Sequence, residues 1–346
     1  MASLKSRFPD AVSKANPVFQ MGFWPGGDRD GNPFVRTETT LKVADALRGS
    51  ILKCYYMDVR KLRRRLTFQG LETLLLNLET KLYNNLFVPG YKSELTKAEL
   101  TGTLEEVKQI IIHQHNGLFL ELVENLINKI DIFGLHFASL DIRQDSGTHG
   151  NLFNYLAENN IVLSKDYLAY DETQKIEALL NVNETIDASV FADDVHQDTL
   201  QCIEAIKTIQ QFNGPDGCNR YIISQCNSAL NAIEVFTLFK LGGWEETTIE
   251  ADIVPLFETI DDLENAATVM ETLYNIPAYR AHLKRRDNFQ TIMLGFSDGT
   301  KDGGYLMANW GIYKAKEELT AISRKYDLDV IFFDGRGGPP SRGGGK

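Results

Sequence analysis

Glu258 and Asp298 each stand just past a short apolar run, with one helix-like stretch between them. Two hard carboxylate oxygens, with water and substrate oxygens completing the shell, are a usual way of holding Mg²⁺. Arg143, Arg336 and Arg342 follow other apolar runs, and Lys301 lies three residues beyond Asp298. A guanidinium offers a fixed fork of donors matched to phosphate and carboxylate oxygens. After Asp334 the chain carries six glycines, two arginines and no acidic side chain. Such a stretch lets backbone N–H groups such as those of Gly337 and Gly338 close on a small, dense anion. Carboxylates for a metal, arginines for oxyanions and a glycine-rich loop over 330–346 fit the handling of a small phosphorylated acid. The plainer readings are that both carboxylates cap the helices after them, and that the glycine-rich stretch is a flexible tail.

These residues are scattered through the sequence, so only the fold can bring them together. Apolar runs at 17–24, 134–142, 221–225, 252–257, 291–296 and 328–333 read as strands. Helical spacing fills most of what lies between: a long helix from Thr37 or Thr39, then 71–87, 97–130, 198–212, 229–241, 261–274 and 302–325. Alternation of this kind predicts an α/β fold with a parallel sheet, open or closed, and a helical insertion over 37–130. The strands end in Asp28-Arg29-Asp30, Arg143, Asn227, Glu258, Asp298 with Lys301, and Arg336 with Arg342. In a parallel barrel every strand opens on one face, and these tips would converge there. A helix starting near Asp302 would point its positive end into the same region. His113 and His115 are two apart on a helix, hence on different faces, and are not a metal pair. The basic run from Arg60 to Arg65 reads as a solvated face, with a regulatory anion site as the alternative.

A net charge of −11 argues against general nucleic-acid binding. Cys54, Cys202, Cys218 and Cys226 lack ligand spacing and read as reduced thiols of a cytosolic protein. No apolar run is long enough to span a membrane, and the polar, basic first fourteen residues are not a signal peptide. No GxSxG elbow marks a nucleophilic serine, and no GxGxxG follows a strand.

Five segments carry a resemblance: Gly26-Gly27-Asp28-Arg29-Asp30-Gly31-Asn32-Pro33, Leu140-Asp141-Ile142-Arg143-Gln144-Asp145-Ser146, Val254-Pro255-Leu256-Phe257-Glu258-Thr259, Gly295-Phe296-Ser297-Asp298-Gly299-Thr300-Lys301-Asp302, and Gly335-Arg336-Gly337-Gly338 with Arg342-Gly343-Gly344. In this order and spacing they resemble phosphoenolpyruvate carboxylase. The resemblance implies a mostly helical, eight-stranded (β/α) TIM-like barrel, about six strands of it here. It implies a cytoplasmic homotetramer joining phosphoenolpyruvate and bicarbonate into oxaloacetate and phosphate with Mg²⁺ or Mn²⁺. Glu258 and Asp298 would bind the metal, and Arg143 and Arg336 the phosphate and carboxylate of phosphoenolpyruvate. Lys301 would sit near bicarbonate, and Arg342 would assist phosphate transfer and carboxylation.

Two departures qualify the match. Asp334 stands where the family has a histidine before Gly-Arg-Gly-Gly. The sequence also holds no His-Pro-Thr strand end, so the expectation is an internal fragment that folds but does not turn over. Two alternatives stay open: another metal-dependent barrel lyase acting on a phosphorylated keto acid, and a non-catalytic anion-binding or assembly module. A glycosidase using Glu258 and Asp298 ranks below both, because sugar sites seldom need so many arginines.

Overall fold

The computed structural model describes residues 20–91 and 95–335. Among them are eleven α-helices and six strands. Strand β1 (Gly22–Phe23) leads to helices α1 (Thr37–Arg65), α2 (Glu72–Phe87), α3 (Lys97–Gln114) and α4 (Leu120–Phe133). Then come β2 (Ser139–Asp145), α5 (Ser146–Glu158), α6 (Glu172–Leu180), α7 (Asp194–Asn213), β3 (Arg220–Ser224) and α8 (Ala229–Leu241). The chain continues through β4 (Asp252–Phe257), α9 (Ile260–Tyr274), α10 (Pro277–Arg285), β5 (Phe289–Gly295), α11 (Ser297–Lys325) and β6 (Asp329–Gly335).

The strands lie side by side in chain order, β1 to β6, and every pairing is parallel. A doubly wound sheet would reverse its order at a switch point, whereas a barrel adds each strand to the last. The class is therefore α/β and mostly helical, with the strand order of an incomplete barrel.

The chain divides into two compact units. The helical unit holds the described residues up to Phe23, then Leu41–Leu140 and Thr208–Cys218. Its core is a stripe repeating every three or four residues: Leu75, Leu78 and Leu82 on α2, Leu100, Leu104, Val107 and Ile111 on α3, Val123, Leu126, Ile127 and Ile130 on α4. The continuous helix expected over 97–130 is in fact two. Asn116, Gly117 and Phe119 have φ of 49°, 72° and 62°, and the Gly117 N–H turns back to the Ile111 carbonyl, which ends α3.

The second unit takes in Trp24–Thr40, Asp141–Lys207 and the described residues from Asn219 onward. Strands β3, β4 and β5 are buried at nearly every position, as parallel strands covered on both faces must be. Ile222, Val254, Leu256 and Met293 form a small cluster, with Trp24 and Phe333 packed against it. Trp24 follows β1, and its ring meets that of Phe333 on β6 edge to face at 6.0 Å. Residues beside the first and last strands touch, so this sheet curls towards closure and its strand tips face one another.

Three further expectations need correction. Strand β2 starts at Ser139, not 134, because residues 134–138 form a turn. Helix α10 forms where no helix is expected, although Pro277 at its start and His282, Lys284 and Arg285 in its last turn are the usual signals. Helix α11 starts at Ser297 rather than near Asp302, and it is interrupted at Gly304, whose φ of 77° is not helical.

Candidate functional site

Trp24, Arg143, Leu256, Glu258, Met293, Phe296, Asp298 and Asp334 are among the residues lining one cavity of about 310 Å³. Three side chains singled out by type and by position after an apolar run, Arg143, Glu258 and Asp298, thus share one space. A larger cavity of about 520 Å³ is lined by Arg29, Asp30, Arg36, Asp198 and Gln225, and holds neither Glu258 nor Asp298. The smaller cavity is therefore the candidate site.

Neither carboxylate is used as a helix cap. Thr259 caps α9, its side chain accepting the Asp262 N–H while Asp262 accepts the Thr259 N–H. That leaves Glu258, one residue earlier, free to face the cavity. Helix α11 begins after Phe296 with no side-chain cap bond.

Glu258 is 9% exposed. One of its oxygens accepts the Gln225 N–H at 2.8 Å. Gln225 holds a φ of +51°, unusual for a non-glycine residue, and its carbonyl accepts the Ser146 hydroxyl at 2.9 Å. Burial pushes the Glu258 carboxyl above the usual glutamate range; Asp298 adds to the rise, while the Gln225 N–H and Arg143 offset it. Asp298 itself is half exposed and pairs with Lys301 at 2.5 Å. Lys301 lies on the exposed side of that pair and is not part of the cavity lining.

Arg143 is held on three sides. Its Nε and Nη2 donate to the two oxygens of Asp28 at 2.8 and 3.0 Å. Its Nη1 lies 3.4 Å from Asp30, and the guanidinium sits 5.0 Å over the Trp24 ring. Asp28 also bridges to Arg143 through the backbone. Arg29, between the two aspartates, faces the opposite way. It is buried and donates to Asp198 at 3.3 Å and to Thr40 at 2.8 Å. Asp198 also accepts the Thr37 N–H at 2.7 Å, fixing the start of α1. Asp28-Arg29-Asp30 stands at a strand end, and its alternating charge is the one sequence signal of these opposed partners.

Asp334 is paired with Lys316 of α11, whose Nζ lies 2.6 Å from one carboxylate oxygen and 2.8 Å from the other. Arg336, Gly337, Gly338 and Arg342 lie outside the described residues. Among the described residues no group of three or more His, Cys, Asp or Glu side chains is arranged to hold a metal. Glu258 and Asp298 are a two-carboxylate set, which suits an ion that keeps water and ligand oxygens in its shell. The basic run is mostly a paired surface: Arg60 and Arg63 both reach Glu79, and Lys61 reaches Asp58. No described helix is long and apolar enough to cross a membrane.

Comparison with known proteins bears on the same residues. The family model for phosphoenolpyruvate carboxylase matches residues 1–86 and 89–346. The phosphoenolpyruvate carboxylase of Nitrosomonas eutropha is 32% identical over 387 residues, covering 96% of this chain and 41% of the relative. That of Nitrosomonas europaea is 30% identical, covering 99% and 42%, and that of Mycobacterium leprae is 29% identical over the same shares. The chain thus spans about two-fifths of the length of these relatives. With all five motifs inside the matched residues, and with the strand order of a parallel barrel behind them, this chain belongs to the phosphoenolpyruvate carboxylase family.

Proposed function

We propose that this chain forms part of an enzyme that carboxylates phosphoenolpyruvate with bicarbonate to give oxaloacetate and phosphate. The observation that carries the proposal is the meeting of Arg143, Glu258 and Asp298 around one cavity. In this reading Glu258 and Asp298 hold a divalent ion, Mg²⁺ or Mn²⁺. When bound, that ion would offset the negative charge of the two substrates. Glu258 suits the role because, among the described residues, its carboxylate's direct hydrogen bond is to a backbone N–H rather than to a cation. Arg143 binds the phosphate or carboxylate of phosphoenolpyruvate, oriented by Asp28 and Asp30 so that little freedom is lost on binding. Lys301 moves from Asp298 towards bicarbonate. Arg336, Arg342 and the N–H groups of Gly337 and Gly338 complete the anion grip. A cytoplasmic homotetramer belongs to the same reading.

Calorimetry tests it directly. The chain is expected to bind phosphoenolpyruvate only in the presence of Mg²⁺ or Mn²⁺, and Arg143→Ala to weaken that binding at least tenfold. Binding that ignores the metal, or survives the substitution, would refute the assignment.

A further inference from the structure

Helix α5 opens with a serine that does not cap it. The cap is Asp145, whose carboxylate accepts the Thr148 N–H at 3.3 Å. Ser146 is buried, and its hydroxyl donates across to the Gln225 carbonyl at 2.9 Å. The parallel register pairs Asp145 of β2 with Ser224 of β3, so Ser146 and Gln225 are the next residue at each strand tip.

Gln225 is the joint between the tips of β2 and β4. Its φ of +51° is left-handed, a conformation that is costly for a residue with a Cβ. The residue is exposed, so side-chain packing does not hold it in that conformation. Its peptide groups do. The carbonyl is fixed by Ser146 on one side, and the N–H donates to a Glu258 oxygen at 2.8 Å on the other. The following N–H, of Cys226, donates to the Leu256 carbonyl at 3.2 Å, two residues before Glu258. Glu258 is thereby gripped through one oxygen, while Gly295 of β5 leaves little room beside it for even a Cβ. One hydroxyl hydrogen bond and the strain of one left-handed residue are of the same order, so losing the first releases the second.

We propose that Ser146 is a positioning residue for the Glu258 carboxylate: its hydroxyl locks Gln225 in the left-handed conformation that aims an N–H at one oxygen of Glu258 and leaves the other oxygen to the cavity. The inference rests on reading Glu258 as a divalent-metal ligand. The hydroxyl itself touches neither metal nor substrate. It acts through a peptide group on the neighbouring strand.

The test uses the whole chain and two readouts. Ser146→Ala removes the hydroxyl without adding bulk. Amide hydrogen exchange followed by NMR is expected to speed up about tenfold at Gln225 and to stay within about twofold at Ile223 and Val254. Calorimetric Mn²⁺ affinity is expected to fall about fivefold, less than on losing a group bonded directly to a metal ligand. In a Glu258→Ala chain, whose Mn²⁺ affinity is already reduced, adding Ser146→Ala is expected to change that affinity by less than about twofold. A serine that only supports packing would weaken Mn²⁺ equally with and without Glu258, and would speed exchange at all three amides. Either result would overturn the proposal, as would unchanged exchange at Gln225 in Ser146→Ala. Absence of Mn²⁺ binding in the unsubstituted chain, with exchange rising at Gln225 alone, would instead count against the metal reading and leave the hold of Ser146 on Gln225 established.

Discussion

Replacing Arg143 by alanine removes a cation that serves two aspartates at once, Asp28 and Asp30. The guanidinium makes a forked contact to Asp28 at 2.8 and 3.0 Å, a third to Asp30 at 3.4 Å, and stacks on Trp24. Its side chain is 18% exposed, and those of Asp28 and Asp30 are 29% and 24% exposed. Losing one member of a fully buried pair costs about 3–5 kcal/mol, and losing an exposed one less than about 1. These part-buried carboxylates fall between, so Arg143→Ala is expected to destabilise the chain by about 2–3 kcal/mol. With a urea dependence of about 3 kcal/mol/M, the unfolding midpoint followed by circular dichroism should fall by about 0.7–1 M. Arg143→Lys keeps the charge but loses the fork and the stacking, and should cost about 1 kcal/mol. Adding Asp28→Asn to Arg143→Ala should cost less than the sum of the single changes. A midpoint for Arg143→Ala within about 0.2 M of the unsubstituted chain, or strict additivity in the double variant, would show that the network contributes nothing and refute the reasoning.

Two further outcomes follow from the same unit. A Cβ on Gly295 would lie 3.0 Å from the Glu258 Cγ and 3.1 Å from its Cα, and a backbone atom cannot step aside cheaply. Gly295→Ala should therefore cost about 1–3 kcal/mol in urea titrations and weaken Mn²⁺ in calorimetry by displacing the carboxylate. Glu234 on α8 is 3% exposed, one carboxylate oxygen has no hydrogen-bond partner, and burial pushes its pKa up to about 7. The folded state thus holds this proton at pH values where the unfolded chain has released it. The stability it lends is complete below the ordinary glutamate value and is lost as pH rises through about 7. Glu234→Gln carries no such proton, so its stability relative to the unsubstituted chain should rise by about 2–3 kcal/mol between about pH 5 and 8. A difference that stays flat with pH would exclude this.

Much of the framework can be read from the sequence because its signals are local. Ala229–Leu241 and Asp252–Phe257 emerge with the bounds expected, since each is an apolar run with a polar residue at its edge. The helix break after Gln114 is hidden in the sequence because apolar spacing continues on both sides of it, while the break depends on the left-handed backbone of Asn116, Gly117 and Phe119. Within the site, Arg143, Glu258 and Asp298 were legible from residue type and strand-end position. Their partners were not. Asp28 is 115 residues from Arg143 in sequence, and Gln225 serves Glu258 through its backbone, which residue type does not reveal.

The opposed facing of Asp28, Arg29 and Asp30 has a thermodynamic consequence. One side of this tripeptide grips Arg143; the other is bolted through Arg29 to Asp198 and Thr40. A ligand that draws Arg143 forward must reorganise a segment whose reverse side secures the first turn of α1 at Thr37. Occupancy and helix fraying are then linked, and linkage runs both ways: hydrogen exchange at Arg29 and Thr37 should report a ligand that touches neither, and Asp198→Asn should loosen the grip on that ligand from afar.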